Sequence, residues 1–520
     1  MDKKKIIAIA ACVVVLGGAG ILGFALDKKG DSAKPAEATT VVQPVTDQNG
    51  AAVTTPEGAT VTEVVSETES TSAESTTEST TAKSTSALVS VSEETTAKTA
   101  ETTTKKQASK KKTSKKPATT EPQVVYTDIV LKKNGKVECK SPKVSLAANE
   151  VIINKAGDYR FTSKTDIWHG RIVVKLKNTE KAELRFENVN IKYNKNVIEI
   201  IDTSIKTNRS FLETESEAAS DTIKEIADND LAPNVQLSFP EGTKSSFSST
   251  ANSVTGVLYN ESKLTIKGHG KAYFESKKNA NNCICSTKSI KIRNLALYLT
   301  TAQHTNTSAL APNTGSARGI FSYSKVTLES GTLDIKSNGD SIRCDDFIAE
   351  GGTATLSSSA CDGIDADDAI VINGGTITSK ALEKSSFKVR RINNTEKGIS
   401  GGVRKNKGDT FAINGGTVIG ESKKITTVQG ASKQPSVTCK IVKPNRGTDA
   451  ATSESKVPAI ISIKNLKTSQ NKCTKFLYSS SAVVKNKKYS ATANGITSKE
   501  EDTTWDGTAG TILINSKVNK

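Results

Sequence analysis

Residues 318–376 decide the fold. They contain Arg318-Gly319-Ile320, then Asp340-Ser341-Ile342-Arg343-Cys344-Asp345-Asp346, then Asp362-Gly363-Ile364-Asp365-Ala366-Asp367-Asp368. Ile320, Ile342 and Ile364 recur every 22 residues. Upstream, Asn282-Cys283-Ile284 superimposes on the same isoleucine, and downstream Lys397-Gly398-Ile399 does so too. The longer gaps carry polar insertions, at 301–316 and 381–397. A second marker keeps phase: Ser330-Gly331-Thr332, Gly351-Gly352-Thr353, Gly374-Gly375-Thr376 and Gly415-Gly416-Thr417. Short alternations such as Ala354-Thr355-Leu356 follow it. Asn373-Gly374 and Asn414-Gly415 are turn dipeptides that tolerate positive φ.

Each repeat therefore holds two or three short strands joined by glycine turns. It is too short for a propeller blade, and the leucine ladder and the glycine-rich calcium nonapeptide of other repeats are missing. It fits one rung of a parallel β-helix, stacked about 4.8 Å from the next. An all-β solenoid is expected over 123–420. A β-rich part of the same domain, 421–520, would cover the edge that the last rung leaves open.

The acidic turns are the sharpest chemical feature. Aligned on the isoleucines, Asp340 falls on Asp362, Asp345 on Asp367, and Asp346 on Asp368, while Asp365 lies opposite Arg343. Like charges near 4.8 Å repel by roughly 3–4 kcal/mol at an effective dielectric near 20. A hard cation with six to eight oxygen ligands would relieve this. Aspartates that merely favour tight turns are the other reading. The candidate metal set is Asp340, Asp345, Asp346, Asp362, Asp365, Asp367 and Asp368. Arg318, Arg343 and Tyr323 are candidates for sugar contact, although the arginines also read as ionic partners of the aspartates. No base cluster of the kind a lyase requires stands out among these residues.

Further segments carry a resemblance. They are Val151-Ile152-Ile153-Asn154-Lys155-Ala156-Gly157-Asp158-Tyr159-Arg160-Phe161, Gly170-Arg171-Ile172-Val173-Val174, Leu184-Arg185-Phe186-Glu187-Asn188-Val189-Asn190-Ile191, and the rung at 362–365. In this order, over roughly 125–500, the chain resembles the carbohydrate-binding β-helix proteins of anaerobic, plant-fibre-degrading Gram-positive bacteria. The resemblance implies a right-handed parallel β-helix akin to pectate lyases. It also implies binding of plant cell-wall polysaccharide, with bound calcium and without catalysis. The chain departs from the pattern at an acidic insertion, 205–232. It departs again at Thr287-Lys288 and Tyr323-Ser324, which stand where other rungs carry aspartate pairs.

The flanking sequence sets the location. Lys3-Lys4-Lys5 precede an apolar run, Ile6 to Leu26, long enough to cross a bilayer core of roughly 30 Å. An uncleaved membrane anchor over 1–26 is expected, with a cleaved signal or lipidation at Cys12 as alternatives. Residues 27–122 are Ser/Thr/Glu-rich and then Lys-rich, too polar to offset chain entropy, and read as a disordered linker. An exported chain has no use for a nucleic-acid tag, so no nucleic-acid partner is expected. The domain would be extracellular, at the surface of a Gram-positive bacterium.

Composition narrows the chemistry. The net charge is +17, and three His and one Met argue against a haem protein or a multi-His metal enzyme. Seven cysteines beyond Cys12 are scattered, without a zinc pattern, and read mostly as small buried side chains. Cys283 and Cys285, two apart, are expected on one face of a strand. Two tryptophans give no row of rings for a flat crystalline surface, which favours charge-led recognition of a pectin-type uronan over cellulose. The readings that remain are a non-catalytic polysaccharide binder, a pectate-lyase-type lyase, and an unspecific adhesin or wall-structural protein.

Overall fold

The computed structural model describes residues 124–206, 231–250, 256–277, 282–302, 317–390, 410–429, 432–444, 452–498, 501–502 and 510–515. All of these belong to one unit, Ser114–Lys520. The expected anchor and the whole linker lie outside the described residues, as do most of the 205–232 insertion, His304, Ile399 and Trp505. Among the described residues every regular element is a strand, and no helix is long and apolar enough to cross a membrane.

Most strands fall into three ladders of parallel pairs. The first climbs through Thr127–Leu131, Gly157–Ser163, Lys181–Glu187, Asn234–Phe239, Lys263–Gly268, Ile290–Arg293 and Val326–Leu328. It continues into the second halves of Ile342–Ala349 and Ile364–Ile372 and ends at Thr410–Ile413. The first halves of those two strands belong to the second ladder, which starts at Glu150–Ile153 and ends at Phe387–Val389. The third runs from Trp168–His169 through Asn190–Tyr193, Lys244–Ser249, Lys271–Ser276, Leu295–Thr301, Gly331–Ser337, Thr353–Ser358 and Thr376–Ser385 to Thr417–Lys424.

The isoleucine period is a physical column in the second ladder. Val151, Ile172, Ile198, Leu258, Ile284, Ile320, Ile342, Ile364 and Phe387 follow one another in register. All nine are fully buried in one continuous core. Each such burial is worth roughly 1.5–3 kcal/mol. The residue that follows Ile364 is Phe387, not the expected Ile399. A polar insertion separates Phe387 from Ile399, and the chain re-enters the ladder before that insertion rather than after it.

The glycine marker is equally physical. Thr332, Thr353, Thr376 and Thr417 are register partners in the third ladder. The glycines before them, Gly331, Gly352, Gly375 and Gly416, have φ between +78° and +90°. A Cβ on Gly375 would meet the Gly352 carbonyl at 2.4 Å, and one on Gly416 would meet the Gly375 carbonyl at 2.4 Å. Backbone packs on backbone there, which only glycine permits.

Both ends of the ladders are finished by non-repeating strands. Val137–Glu138 pairs antiparallel with Thr127–Leu131, and Val144–Ala147 with Glu150–Ile153. At the far end Thr417–Lys424 pairs antiparallel with Lys475–Ser479. That strand pairs with Ser436–Pro444, and Ser436–Pro444 pairs in turn with Gly510–Asn515. A second apolar cluster, including Cys439, Cys473, Phe476, Tyr478 and Ile512, forms beneath these strands. Thr426 donates its N–H to the Phe387 carbonyl, and Gln429 to Phe411, so neither last strand is left bare.

Five of the seven cysteines beyond Cys12 are buried. Cys283 and Cys285 do not share a face. Cys283 lies in the main core and Cys285 in an outward cluster with Tyr259. The strand begins only at Ile284, so period-two alternation does not reach Cys283.

Candidate functional site

The outward row of the second ladder places the chemistry. In register it reads Glu199, Tyr259, Cys285, Phe321, Arg343, Asp365 and Lys388. Its middle is apolar: Tyr259 and Cys285 are buried, with Phe321 and Tyr323 packed against them. The Phe321 and Tyr323 rings lie 4.6 Å apart, tilted by 50°, and the Arg318 guanidinium sits 4.7 Å over Phe321. Beyond Phe321 the row turns ionic. Arg343 and Asp365 are opposite each other, as the isoleucine alignment expects.

Asp340, Asp362 and Asp365 converge on this ionic end. Each is buried, and one oxygen of each lies within 4.8 Å of the others. Asp340 and Asp362 occupy equivalent corners of successive rungs. Asp362 donates its N–H to Asp340 Oδ1 at 3.0 Å, and Arg318 Nε donates to Asp340 Oδ2 at 3.1 Å. The Ser385 N–H reaches Asp362 Oδ1 at 2.6 Å, and Lys388 Nζ stands 3.9 Å from Oδ2. Arg390 grips both Asp365 oxygens through Nε, at 2.8 and 3.0 Å, and adds Nη2. Arg343 Nη1 lies 3.6 Å from Asp365, and its Nη2 bonds Asp367.

The electrostatics divide the carboxylates. Burial disfavours charge on Asp365, but Arg343 and Arg390 outweigh it and hold the carboxyl below the ordinary range. Asp362 goes the other way. Burial and then the charges of Asp365 and Asp340 push it up to about 7. Arg343 and Arg390 thus hold Asp365 and Asp367, while Lys388 Nζ stands 3.9 Å from Asp362 and does not offset its burial.

The remaining expected ligands are placed differently. Asp346 is opposite Ala369, not Asp368, because the register slips between Cys344 and Asp346. The later rung carries one more residue, and a β-bulge absorbs it. Asp345, Asp346 and Asp368 are half-buried, Asp367 fully buried, and none of the four joins the convergent trio. Of the expected sugar contacts, Arg343 is enclosed, with its side chain 5% exposed. Its Nη1 donates to the carbonyls of Asp365 and Cys344. It orients carboxylates rather than facing solvent. Arg318 and Tyr323 are only half-buried and remain at the surface of the row.

The isoleucine spacing did not place Arg390 and Lys388 in this row. Both depend on Phe387 as the next column residue, and the isoleucine spacing pointed past it to Ile399. An aromatic in place of the isoleucine, just before Lys388-Val389-Arg390, is the signal that could have found them.

The fold and the charged row can be set against known proteins. The chain belongs to the family of carbohydrate-binding domain-containing proteins, whose model matches residues 147–510. A solved structure, a polysaccharide lyase-like protein from C. thermocellum as its gadolinium derivative, is 21% identical to this chain. The match covers 49% of this chain and 90% of that one, at a TM-score of 0.36. No curated protein matches.

Proposed function

We propose that the three ladders are the faces of a right-handed parallel β-helix that binds plant cell-wall polysaccharide without cleaving it. The preferred ligand is an acidic, pectin-type uronan, held with the help of calcium at the ionic end of the second ladder. Membership in a carbohydrate-binding family supports the class of ligand. The buried trio Asp340, Asp362 and Asp365 is the observation that carries the choice of an acidic sugar. Oxygens within 4.8 Å of one another suit a hard cation, and burial together with the neighbouring Asp365 and Asp340 raises the Asp362 carboxyl. Asp340 and Asp362 would supply the principal ligands, since Asp365 already faces two guanidiniums. A uronate carboxylate could complete the ion's oxygen shell.

Binding is preferred to catalysis because the arginines beside the trio are held in ion pairs. Lyase chemistry requires a base within reach of the proton it removes. Anchoring through residues 6–26 would hold the domain outside a Gram-positive cell, where such polymers occur. The test is retention on insoluble polygalacturonate with calcium and with chelator, alongside an ultraviolet assay for unsaturated product. Calcium-dependent retention without product is expected. Product formation would make the protein a lyase, and retention indifferent to chelator would remove calcium from the reading.

A further inference from the structure

The third ladder carries a groove far from the sequence of the aspartate trio. Its cavity is about 420 Å3 and spans the outer face of four successive strands, from Asn190–Tyr193 to Leu295–Thr301. At about 4.8 Å per strand that is a trough of roughly 14 Å. Its floor is Tyr273 and Tyr298, register partners whose rings are parallel within 9° at a centroid distance of 4.7 Å. Both are only half-buried. One end is closed by Ile167, 42% exposed. The rim is polar: Lys192 on one side, and the Glu275–Lys277 ion pair, 3.3 Å long, on another. Lys244 sits 5.0 Å over the Tyr273 ring.

This arrangement departs from the rest of the face. The same outward column continues as Asp334, Thr355 and Thr378, short polar side chains on a solvated strand surface. Aromatics are scarce in this chain, and the phenylalanines of the third ladder, Phe247 and Phe274, are fully buried in the core. Two adjacent tyrosines pointing outward are therefore the exception. Offset-stacked rings leave part of each face uncovered, and each ring ends in a hydroxyl that donates and accepts. A pyranose ring has the complementary character, with apolar C–H faces and hydroxyls around its edge. An apolar floor with a few convergent polar groups is the general form of a small-molecule site. The ladder fixes both rings before any ligand arrives, which lowers the ordering cost of binding.

Resting on the carbohydrate-binding reading above, we propose that this groove is a second glycan subsite. It takes a neutral hexopyranose chain by packing it against the exposed edges of the Tyr273–Tyr298 stack and the uncovered part of Tyr298, with Lys192 and Glu275 bonding the hydroxyls. No cation takes part, so the subsite works in chelator and changes little with salt. It would let one chain hold a neutral polymer on one face and an acidic one on another.

The experiment uses the purified protein with a soluble neutral β-glucan and with polygalacturonate, each with calcium and with chelator. The native chain should bind the glucan in chelator. Tyr273→Ala with Tyr298→Ala should weaken this at least about thirtyfold, the scale of losing a hot-spot aromatic. Polygalacturonate binding in calcium should not change, and Tyr298→Phe should keep most glucan affinity. Because the double variant could unsettle the ladder, a second measurement uses the native chain: bound glucan should protect Tyr273 and Tyr298 from chemical nitration. Equal glucan affinity in a folded double variant, or no protection, overturns the groove. Binding of polygalacturonate but no glucan overturns the groove alone, and binding of neither polymer overturns the carbohydrate reading with it.

Discussion

Arg390→Gln tests how the ionic row holds itself together. Arg390 contacts both oxygens of Asp365, whose side chain is fully buried. Without it, Asp365 keeps Arg343 at 3.6 Å, already bonded to Asp367, and the weaker pull of Lys388. Breaking a buried pair by removing one partner costs about 3–5 kcal/mol, because a charge is stranded. The Arg390 side chain is 25% exposed, so water replaces part of the contact and the lower end, about 3 kcal/mol, is expected. A domain stable by about 5–15 kcal/mol would lose a large fraction of its margin. Urea unfolding followed by far-ultraviolet circular dichroism, in chelator at neutral pH, gives the difference directly. Adding Asp365→Asn to the variant should recover part of the loss, since no stranded charge remains. A single variant within about 0.5 kcal/mol of the native chain, the range of ordinary surface changes, would refute the account.

Other outcomes follow from the same geometry. Ile342→Ala should cost about 2–5 kcal/mol and loosen the neighbouring rungs, because Ile342 is fully buried between Ile320 and Ile364; an unchanged melting temperature would contradict the column. Gly375→Ala should cost at least about 1–2 kcal/mol for its positive φ, and more for its approach to the Gly352 carbonyl, whereas Gly242→Ala, open around its Cβ, should cost less; equal losses would contradict the backbone stacking. Asp362 binds its proton more tightly folded than unfolded, so metal-free stability should fall as pH rises from about 4 to about 7, by on the order of 4 kcal/mol, and level off above. Calcium should flatten that slope and Asp362→Asn should abolish it, as read from melting temperature against pH; a flat metal-free curve would place no excess charge at Asp362.

How far sequence could see is clearest at the two rungs around Asp365. The column Ile320, Ile342, Ile364 is legible because a parallel ladder enforces equal spacing wherever neither rung has an insertion, and Ile284 joins it once the 301–316 insertion is set aside. The glycine marker is legible for the same reason, since stacked positive-φ turns admit one residue type. Asp340 over Asp362 and Arg343 opposite Asp365 follow from that period. The pairing of Asp346 with Asp368 does not survive, because one extra residue enters after Ala366 and a constant period cannot show a bulge. Arg390 was hidden because its rung is marked by Phe387 in place of isoleucine. Tyr273 and Tyr298 are visible as residues, but alternation alone does not distinguish an outward ring from a core one.

The glycine corner constrains where this chain can vary. Between the first and third ladders the links of the later rungs are short: Arg293 to Leu295, Leu328 to Gly331, Ala349 to Thr353, Ile372 to Thr376, Ile413 to Thr417. Backbone packed against backbone leaves no room there for an added residue. The long insertions lie at the other two corners, between Asp202 and Asn234, Thr301 and Ile320, and Val389 and Thr410, whereas the first-to-third corner varies by only a few residues, as between Phe239 and Lys244. Those two corners flank the second ladder. Long insertions are therefore accommodated beside the row that runs from Tyr259 to Lys388, so new specificities in relatives should arise chiefly along that edge, while the stacked glycine seam from Gly331 to Gly416 stays fixed.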